Sequence, residues 1–269
     1  MPQVKLIVEY DGAGFCGWQK QPGQRTVQLE LERALQIVCR QPIGPLHAAG
    51  RTDSGVHARG QVVTFFVDQA PEMFKIMAGV SHLMKGELAV VAAEICPDTF
   101  HPGHDSTHKQ YSYRIMNRPA PPVLDARQMW HIGVPVLKFE EMRRQAQVLV
   151  GTHDFSGFRD SECGAKTPVK TIYSLTLDLR DGLIIVRVIG SGFLKQMVRN
   201  IVGTLVDIGR GRLEGRTVKQ ILDMKDRRLA GVTAPAHGLC MDWISYDPLP
   251  AYLLCDSAKE PEIEVDEAR

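Results

Sequence analysis

The sequence predicts an α+β fold built from two similar halves whose sheets join. Three observations support this prediction: short segments in which apolar and polar residues alternate, longer segments with apolar residues at helical spacing, and recurrence of both in a similar order. With 269 residues and 44% hydrophobic content, the chain is long enough for one large or two modest domains with a substantial core.

In the first half, alternation over residues 4–10 predicts a strand, and apolar spacing over 27–38 predicts a helix. Strands are predicted at 61–67 and 88–94, with a helix between them over 72–84. These elements follow one another closely, so the first half is expected to be compact.

The second half repeats this order. A strand is predicted at 111–115, where two tyrosines share one face, and a helix follows over 142–150. Strands at 173–179 and 183–189 lead to a long helix over 193–208. The second half therefore ends, in this prediction, on a helix that is apolar almost all round and so buried.

Composition changes suggest where the halves begin and end. We predict an N-terminal half over 1–116, a proline-rich linker at 117–125, a C-terminal half over 126–247 and an acidic tail over 248–269. The tail is the one low-complexity segment, and we expect it to be mobile.

Several classes of protein are unlike this chain. No apolar run is long enough to span a bilayer, and the first residues lack a signal peptide's basic start, so we expect a cytoplasmic protein that does not enter a membrane. The six cysteines form no Cys-x-x-Cys pair and are expected to be reduced. The closely spaced His101, His104 and His108 lack a recognised ligand spacing, so no metal is expected.

The charge pattern leaves a polyanionic partner open. The net charge is +1, but residues 259–269 hold five acids against two bases, and the rest of the chain carries 30 basic and 26 acidic residues. Seven basic residues crowd into one stretch, namely Arg210, Arg212, Arg216, Lys219, Lys225, Arg227 and Arg228. They fit either a solvated helix face and loop or a surface that contacts phosphates.

The chemically most informative segment is residues 50–58, which read GRTDSGVHA. Flanking glycines permit positive φ and close approach of another molecule, so Asp53 can lie at the floor of a cleft. Asp, Ser and Gly are also ordinary turn residues, but Arg51 and His57 place charge beside this turn. Asp53 could attack, accept a proton, or simply turn the chain.

A second clue lies in the apolar helix over 193–208. Lys195, Arg199 and Gly203 recur there at intervals of four residues. A buried arginine requires a partner, because an unpaired charge away from water is very costly. Asp53 is one candidate partner for Arg199, and a structural acid or a carbonyl is an equal alternative.

Several motifs together resemble the TruA family of tRNA pseudouridine synthases, and the likeness runs from about residue 4 to residue 246. Besides residues 50–58, the matching segments read YDGAGFCGWQKQ at 10–21, TVQ at 26–28, KQYSYRI at 109–115, GTHDF at 151–155, GFLKQMVRNI at 192–201 and TAPAHGL at 233–239. An ordered set of this kind is far more specific than any one match.

The resemblance implies two ferredoxin-like halves whose sheets merge into one mixed, mainly antiparallel sheet flanked by helices, with a central active-site cleft. It implies a homodimer that binds tRNA, and an isomerase that converts uridine to pseudouridine at positions 38, 39 and/or 40 of the anticodon stem-loop. It implies no cofactor and no metal.

The resemblance also implies roles for individual residues at positions that match the family's motifs. Asp53 matches the family's essential aspartate, acting as nucleophile or base, and Arg199 matches the basic residue that pairs with it. Tyr111 matches the tyrosine that stacks on the target uracil, a choice over Tyr113 that rests on the family's Lys-x-Tyr pattern. Arg51 would occupy the gap left when the uridine flips out of its stack.

Two departures from the family pattern stand out. Ala13 replaces a usual threonine or serine, and Gly103 stands where the family commonly has arginine, so His104, His108 or Lys109 would have to compensate in gripping RNA. His57 is expected to be structural or close to RNA.

Two other classes stay open. An RNA-binding protein that lost catalysis is disfavoured by the presence of Asp53, Tyr111 and Arg199 together. A carboxylate glycosidase needs two neighbouring catalytic acids, and Asp53 has no obvious acidic partner in the sequence.

Overall fold

The structure is a computed structural model that describes residues 1–213 and 215–253. The predicted acidic tail falls mostly beyond residue 253, outside the described residues. Within this part of the chain, one mixed sheet is flanked by helices, which confirms the α+β prediction.

Ten strands and five α-helices occur in the described ranges. The strands are β1 (Gln3–Tyr10), β2 (His47–Ala48), β3 (His57–Phe66), β4 (Leu88–Cys96), β5 (His108–Met116), β6 (Trp130–His131), β7 (Gly151–Asp154), β8 (Val169–Arg180), β9 (Leu183–Gly190) and β10 (Leu239–Ser245). The helices are α1 (Val27–Cys39), α2 (Met73–Met84), α3 (Phe139–Gln147), α4 (Met197–Gly209) and α5 (Val218–Met224).

The sheet order reveals an internal repeat. The first set, β1-α1-β2-β3-α2-β4, forms the order β4-β1-β3 with β2 beside β3. The second set contains β5, α3, β8, β9, α4 and β10 in chain order and forms the order β10-β5-β9-β8, the same arrangement of equivalent strands. Both sets have the strand and helix order of a ferredoxin-like unit.

The two units merge at a single seam. The last strand, β10, pairs antiparallel with β5 and, over Cys240 and Met241, parallel with β3. The only other parallel pairing among the described strands joins β5 to β6, so the sheet is mixed and mainly antiparallel. Because β5 pairs within the second set, the sheet groups it with that unit; the division at residue 116 stays a prediction.

Packing follows the repeat. Helix α1 packs on α2, which covers β4, and α3 packs on α4 and β8. One hydrophobic cluster runs through both units and includes Leu6, Leu31 and Val80 from the first and Tyr113 and Val202 from the second. This continuous core fixes the two units relative to each other at the seam.

The structure corrects the start of the long helix. Helix α4 begins at Met197 rather than at residue 193, because Gln196 adopts a left-handed conformation with φ of 59°. The preceding residues form a turn in which Met197 N donates to Leu194 O at 3.0 Å. Residues 193–196 are thereby free to line the cleft described below. Every residue of α4 except Arg199 is buried, as its apolar character predicted.

Five elements were missing from the prediction, namely the short strands β2, β6 and β7, strand β10 and helix α5. Strand β10 has few buried apolar positions, and α5 lies within the basic stretch. Helix α5 starts at a capping box in which Thr217 and Gln220 satisfy each other's backbone N–H groups. No helix in residues 1–213 and 215–253 is long and apolar enough to cross a membrane.

Candidate active site

Asp53 lies in a tight turn between β2 and β3. The turn closes through a hydrogen bond from Val56 N to Asp53 O of 3.1 Å, and Gly55 supplies the positive φ of 79°. Gly50 has no positive φ, contrary to expectation, and a Cβ there would lie 3.3 Å from the terminal methyl group of Met241. The Asp53 side chain stays 25% exposed and can therefore meet a substrate.

The opening motif of the sequence packs beneath this turn. A Cβ on Gly12 would lie 2.0 Å from Val56 O, and one on Gly17 would lie 2.9 Å from Thr52 O. Trp18 N donates to the same Thr52 carbonyl at 3.1 Å. Only glycine permits backbones to approach this closely, so the motif acts as a floor that supports the Asp53 turn.

Arg199 reaches Asp53 from the other unit. Its Nη1 donates to Asp53 Oδ2 at 2.9 Å, and its Nε donates to Ala234 O at 2.8 Å. Ala234 N donates back to Arg199 O at 3.1 Å. The Arg199 side chain is 15% exposed and that of Asp53 25%, so the ion pair is partly shielded from water. The guanidinium is held at two points and cannot leave the carboxylate without breaking both bonds.

The segment over residues 231–234 packs closely against α4, and this packing holds the Ala234 carbonyl beside Arg199. A Cβ on Gly203 would lie 1.7 Å from Val232 O, so this position must be glycine for residues 231–234 to lie on the helix. Val232 N donates to Asp207 Oδ2 at 3.0 Å, which secures the segment further along the helix. Gly203 and Arg199 therefore act together, four residues apart, in positioning the ion pair.

Tyr111 and Tyr113 share a face of β5 but have different surroundings. The Tyr111 ring meets Phe193 edge-on with centroids 5.2 Å apart, and its hydroxyl has no hydrogen-bond partner among the described residues. Tyr113 is fully buried, and its hydroxyl donates to Pro235 O at 2.8 Å. Tyr113 is thus a core residue, whereas Tyr111 borders the cleft. Burial raises the pKa of the Tyr111 phenol far above its usual range, with Tyr10 and Asp53 adding to the effect.

These side chains border one cleft of about 910 Å³ at the junction of the two units. Asp53, Arg51, Tyr111 and Arg199 all line it. Arg51 is exposed at its rim. The structure therefore brings together Arg51, Asp53, Tyr111 and Arg199, the four site residues named from the sequence, from three different segments of the chain.

A second carboxylate also lines the cleft. Glu162 Oε2 lies 2.8 Å from Lys195 Nζ, which also contacts Asp160 at 3.0 Å. The Lys195 ammonium donates hydrogen bonds to Glu162 and Asp160, which raises its pKa well above the usual value. The Glu162 side chain is 82% exposed, so it lacks the shielded environment that raises the pKa of a glycosidase's catalytic acid.

Comparison with known proteins identifies the family. A family model described as tRNA pseudouridine synthase matches residues 6–105 and 145–247. The chain belongs to the tRNA pseudouridine synthase family. It is accordingly an isomerase that acts on uridine in tRNA.

Individual relatives agree with this family. The chain is 42% identical over 248 residues to tRNA pseudouridine synthase A of Syntrophotalea carbinolica, covering 92% of this chain and 98% of that protein. It is 41% identical over 246 residues to the same enzyme of Pelobacter propionicus, covering 91% and 100%. A solved Cbf5–Nop10–Gar1 complex aligns with a TM-score of 0.36 and 10% identity over 76% of this chain and 45% of that one, too weakly to add to the argument.

His57 has a structural role in this synthase. It is buried, its Nδ1 accepts a hydrogen bond from Gly12 N at 3.1 Å, and its Nε2 lies 3.2 Å from His237 O. Its Nδ1 also lies 3.0 Å from Asp11 Oδ1. It therefore ties the opening motif to the segment before β10 and does not reach the cleft.

The region of Gly103 offers one exposed imidazole. Lys109 Nζ donates to Ala49 O at 2.6 Å, and His108 is buried against Trp243, so neither replaces the arginine usual at Gly103. His104 is exposed and packs edge-on against His101 with centroids 4.1 Å apart.

In the ranges that the structure describes, no group of three or more His, Cys, Asp or Glu residues could hold a metal ion.

Most of the basic stretch is engaged within the synthase. Lys219 pairs with Asp223, Lys225 with Asp154 and Arg228 with Asp226, at 2.7 to 2.9 Å. Arg227 is more deeply placed, because its Nη2 donates to Asn200 Oδ1 at 2.9 Å and to Thr233 Oγ1 at 3.0 Å, and its Nη1 to Gly231 O at 2.9 Å. Arg227 therefore has a structural role, whereas the exposed ion pairs of Lys219, Lys225 and Arg228 fit both interpretations.

Proposed function

We propose that this enzyme converts uridine to pseudouridine at position 38, 39 and/or 40 in the anticodon stem-loop of tRNA, with Asp53 as the acting carboxylate and no cofactor. The observation that carries this proposal is the ion pair of Asp53 and Arg199 at 2.9 Å inside a cleft that Tyr111 also lines. An anchored carboxylate beside an aromatic side chain suits a reaction on a nucleoside.

The reaction is an isomerisation. The bond from N1 of uracil to C1′ of ribose breaks, the base turns, and a bond from C5 to C1′ forms. The proton on C5 leaves, and N1 takes up a proton. Substrate and product contain the same atoms, so no electron carrier or group donor is consumed. A carboxylate can assist by attacking C1′, by attacking the base, or by removing a proton from the sugar.

Asp53 suits these roles because it is anchored yet accessible. One carboxylate oxygen accepts from Arg199, and a quarter of the side chain is exposed to the cleft. Arg199 orients the carboxylate, because it is itself fixed by Ala234 O. Correct orientation of a reacting group accounts for a large part of many enzymatic rate accelerations.

Tyr111 and Arg51 serve the substrate rather than the bond changes. The Tyr111 ring, set edge-on to Phe193, offers a surface on which uracil stacks. Arg51 at the rim occupies the space that the flipped uridine leaves in the RNA. Flipping is required because the reacting atoms are otherwise held within the RNA stack.

The assembly and location complete the proposal. We expect a homodimer in the cytoplasm that binds the anticodon stem-loop and neighbouring phosphates of tRNA. Sedimentation of the full chain, alone and with tRNA, measures the number of subunits in each complex. A monomer in both samples would contradict the dimer.

Unmodified tRNA transcripts test the substrate assignment. The purified protein is incubated with transcripts that carry uridine at 38, 39 or 40, without added metal or cofactor, and pseudouridine is mapped at every position. Pseudouridine at one or more of these three positions is expected. Modification confined to other parts of tRNA would overturn the assigned positions.

A further inference from the structure

Two side chains hold the backbone that leads into the Asp53 turn. Ala49 O accepts from Lys109 Nζ at 2.6 Å, and Gly50 O accepts from Gln61 Nε2 at 2.7 Å. Lys109 belongs to β5 and Gln61 to β3, so the two bonds come from strands of different units. Two consecutive backbone carbonyls, those of Ala49 and Gly50, are thus hydrogen-bonded to side chains immediately before Arg51 and Asp53.

Lys109 and Tyr111 lie on the same face of β5, two residues apart. The position a Cβ would take on Gly50 lies 3.8 Å from Lys109 Nζ and 3.9 Å from Tyr111 Oη. The ends of both side chains therefore lie on the same side of this glycine in the entering segment. A shift of the Lys109 bond would move Arg51 and Asp53 relative to Tyr111.

The Lys109 ammonium has an unusual electrostatic setting. No carboxylate lies within ion-pair distance of it in residues 1–213 and 215–253. Its register partners, Gly190 on β9 and Ile244 on β10, carry no charge, and Lys170 on β8 is a like charge. Burial, and secondly Lys170, lower the pKa of Lys109 to about 8. Burying this cation with one carbonyl as its hydrogen-bond partner costs folding free energy.

We propose that Lys109 is a positioning residue for catalysis, whose ammonium holds the Ala49 carbonyl and thereby presents Arg51 and Asp53 to Tyr111. The proposal rests on the roles of these three residues given above. A charge-assisted hydrogen bond is about twice as strong as a neutral one. Deprotonation of Lys109 therefore loosens the turn and lowers kcat more than it raises KM.

The contribution of Lys109 to folding stability changes with pH in the opposite direction to its contribution to kcat. Between pH 8 and the ordinary lysine pKa of 10.5, the unfolded chain binds a proton at Lys109 that the folded chain has lost. Folding stability at this site therefore rises with pH across that window. Activity that falls through pH 8 while stability rises separates a positioning role from alkaline unfolding.

The test measures kcat and KM of the full chain on a tRNA transcript between pH 6.5 and 9.5. Thermal unfolding of the same protein is measured over the same pH range. The wild type is expected to lose kcat with a midpoint near pH 8. Lys109→Met should lower kcat on the order of 10²-fold at neutral pH and lack that midpoint. Lys109→Arg should restore activity and abolish the midpoint, because guanidinium does not titrate in this range.

Two control variants complete the design. Lys170→Gln removes the like charge without touching the turn, so the midpoint should move to higher pH. Gln61→Met removes the bond to Gly50 O and should lower kcat without moving the midpoint. The proposal is overturned if Lys109→Met has the kcat of the wild type. It is also overturned if neither Lys109→Arg nor Lys170→Gln changes the alkaline midpoint. If Asp53→Asn is inactive in that case, the assigned role of Asp53 survives; if it is active, that role fails separately.

Discussion

Arg199 Nη1 donates to Asp53 Oδ2 at 2.9 Å although the two residues are 146 positions apart in the chain. The pair joins the two ferredoxin-like units at the cleft, and Ala234 O holds the same guanidinium at 2.8 Å. Arginine can make both bonds at once because its donors form a rigid planar fork. Lysine has a single nitrogen and cannot reproduce this geometry.

Substitution of Arg199 should therefore impair catalysis more than folding. Arg199→Met is expected to lower kcat on the order of 10²-fold or more, because the carboxylate loses its orientation. The kcat of Arg199→Lys should lie between that of Arg199→Met and that of the wild type. Both should cost about 1–2 kcal/mol of unfolding free energy, since the pair is only partly shielded. Turnover of a tRNA transcript and urea unfolding measure the two effects, and full activity of Arg199→Met would refute the assigned role.

The two tyrosines of β5 should respond differently to substitution. Tyr111→Leu removes a stacking surface worth about 1–3 kcal/mol per base, so kcat/KM should fall by about 5- to 150-fold. Tyr113→Phe should keep near-normal activity but lose about 1 kcal/mol of stability with the bond to Pro235 O. A larger loss of activity in Tyr113→Phe than in Tyr111→Leu would reverse the assignment.

Gly203 offers a test of indirect positioning. Gly203→Ala forces a Cβ against Val232 O and must displace the segment that ends at Ala234, at a cost of about 1–3 kcal/mol. Activity should fall with stability, because Ala234 O holds Arg199. Gly164→Ala is the matched control, since a Cβ there has no atom within 4 Å, and its stability should stay within about 0.5 kcal/mol of wild type. Equal urea midpoints for the two variants would contradict the packing argument.

Arg51 is exposed, so its loss should affect function alone. Arg51→Met is expected to leave unfolding free energy within about 0.5 kcal/mol of wild type and to lower kcat/KM about tenfold or more, because flipping a base costs a few kcal/mol. A transcript with a mismatch opposite the target uridine needs less energy for flipping and should restore much of the lost rate. An Arg51→Met defect that is the same on both transcripts would exclude a role in flipping.

Periodicity alone predicted much of the fold, because most strands and helices here have an exposed and a buried face. It missed β10, whose place depends on pairing with β5 and with β3, about 130 and 180 residues earlier in the chain. It also extended α4 over residues 193–196, because the apolar Phe193 and Leu194 fit the helical spacing although they line the cleft. Long-range pairing and cleft lining leave little trace in local spacing.

The site was predictable where chemistry restricts the alternatives. A charged residue in an apolar helix needs a partner, which made Arg199 and Asp53 candidates before any distance was known. The anchoring carbonyl of Ala234 and the bond of Lys109 to Ala49 were not predictable. A carbonyl has no sequence signature, and a lysine in an alternating strand has the same pattern whether its ammonium meets water or backbone.

The most direct test of the role assigned to Asp53 is single-turnover pseudouridine formation by Asp53→Asn, with enzyme in excess over a transcript that the wild type modifies at position 38, 39 or 40. Asparagine keeps the size of the side chain and an oxygen that can accept from Arg199, but it removes the negative charge. We expect no detectable pseudouridine and nearly unchanged tRNA binding. Pseudouridine formation at the wild-type rate would contradict the assignment of Asp53 as the acting carboxylate.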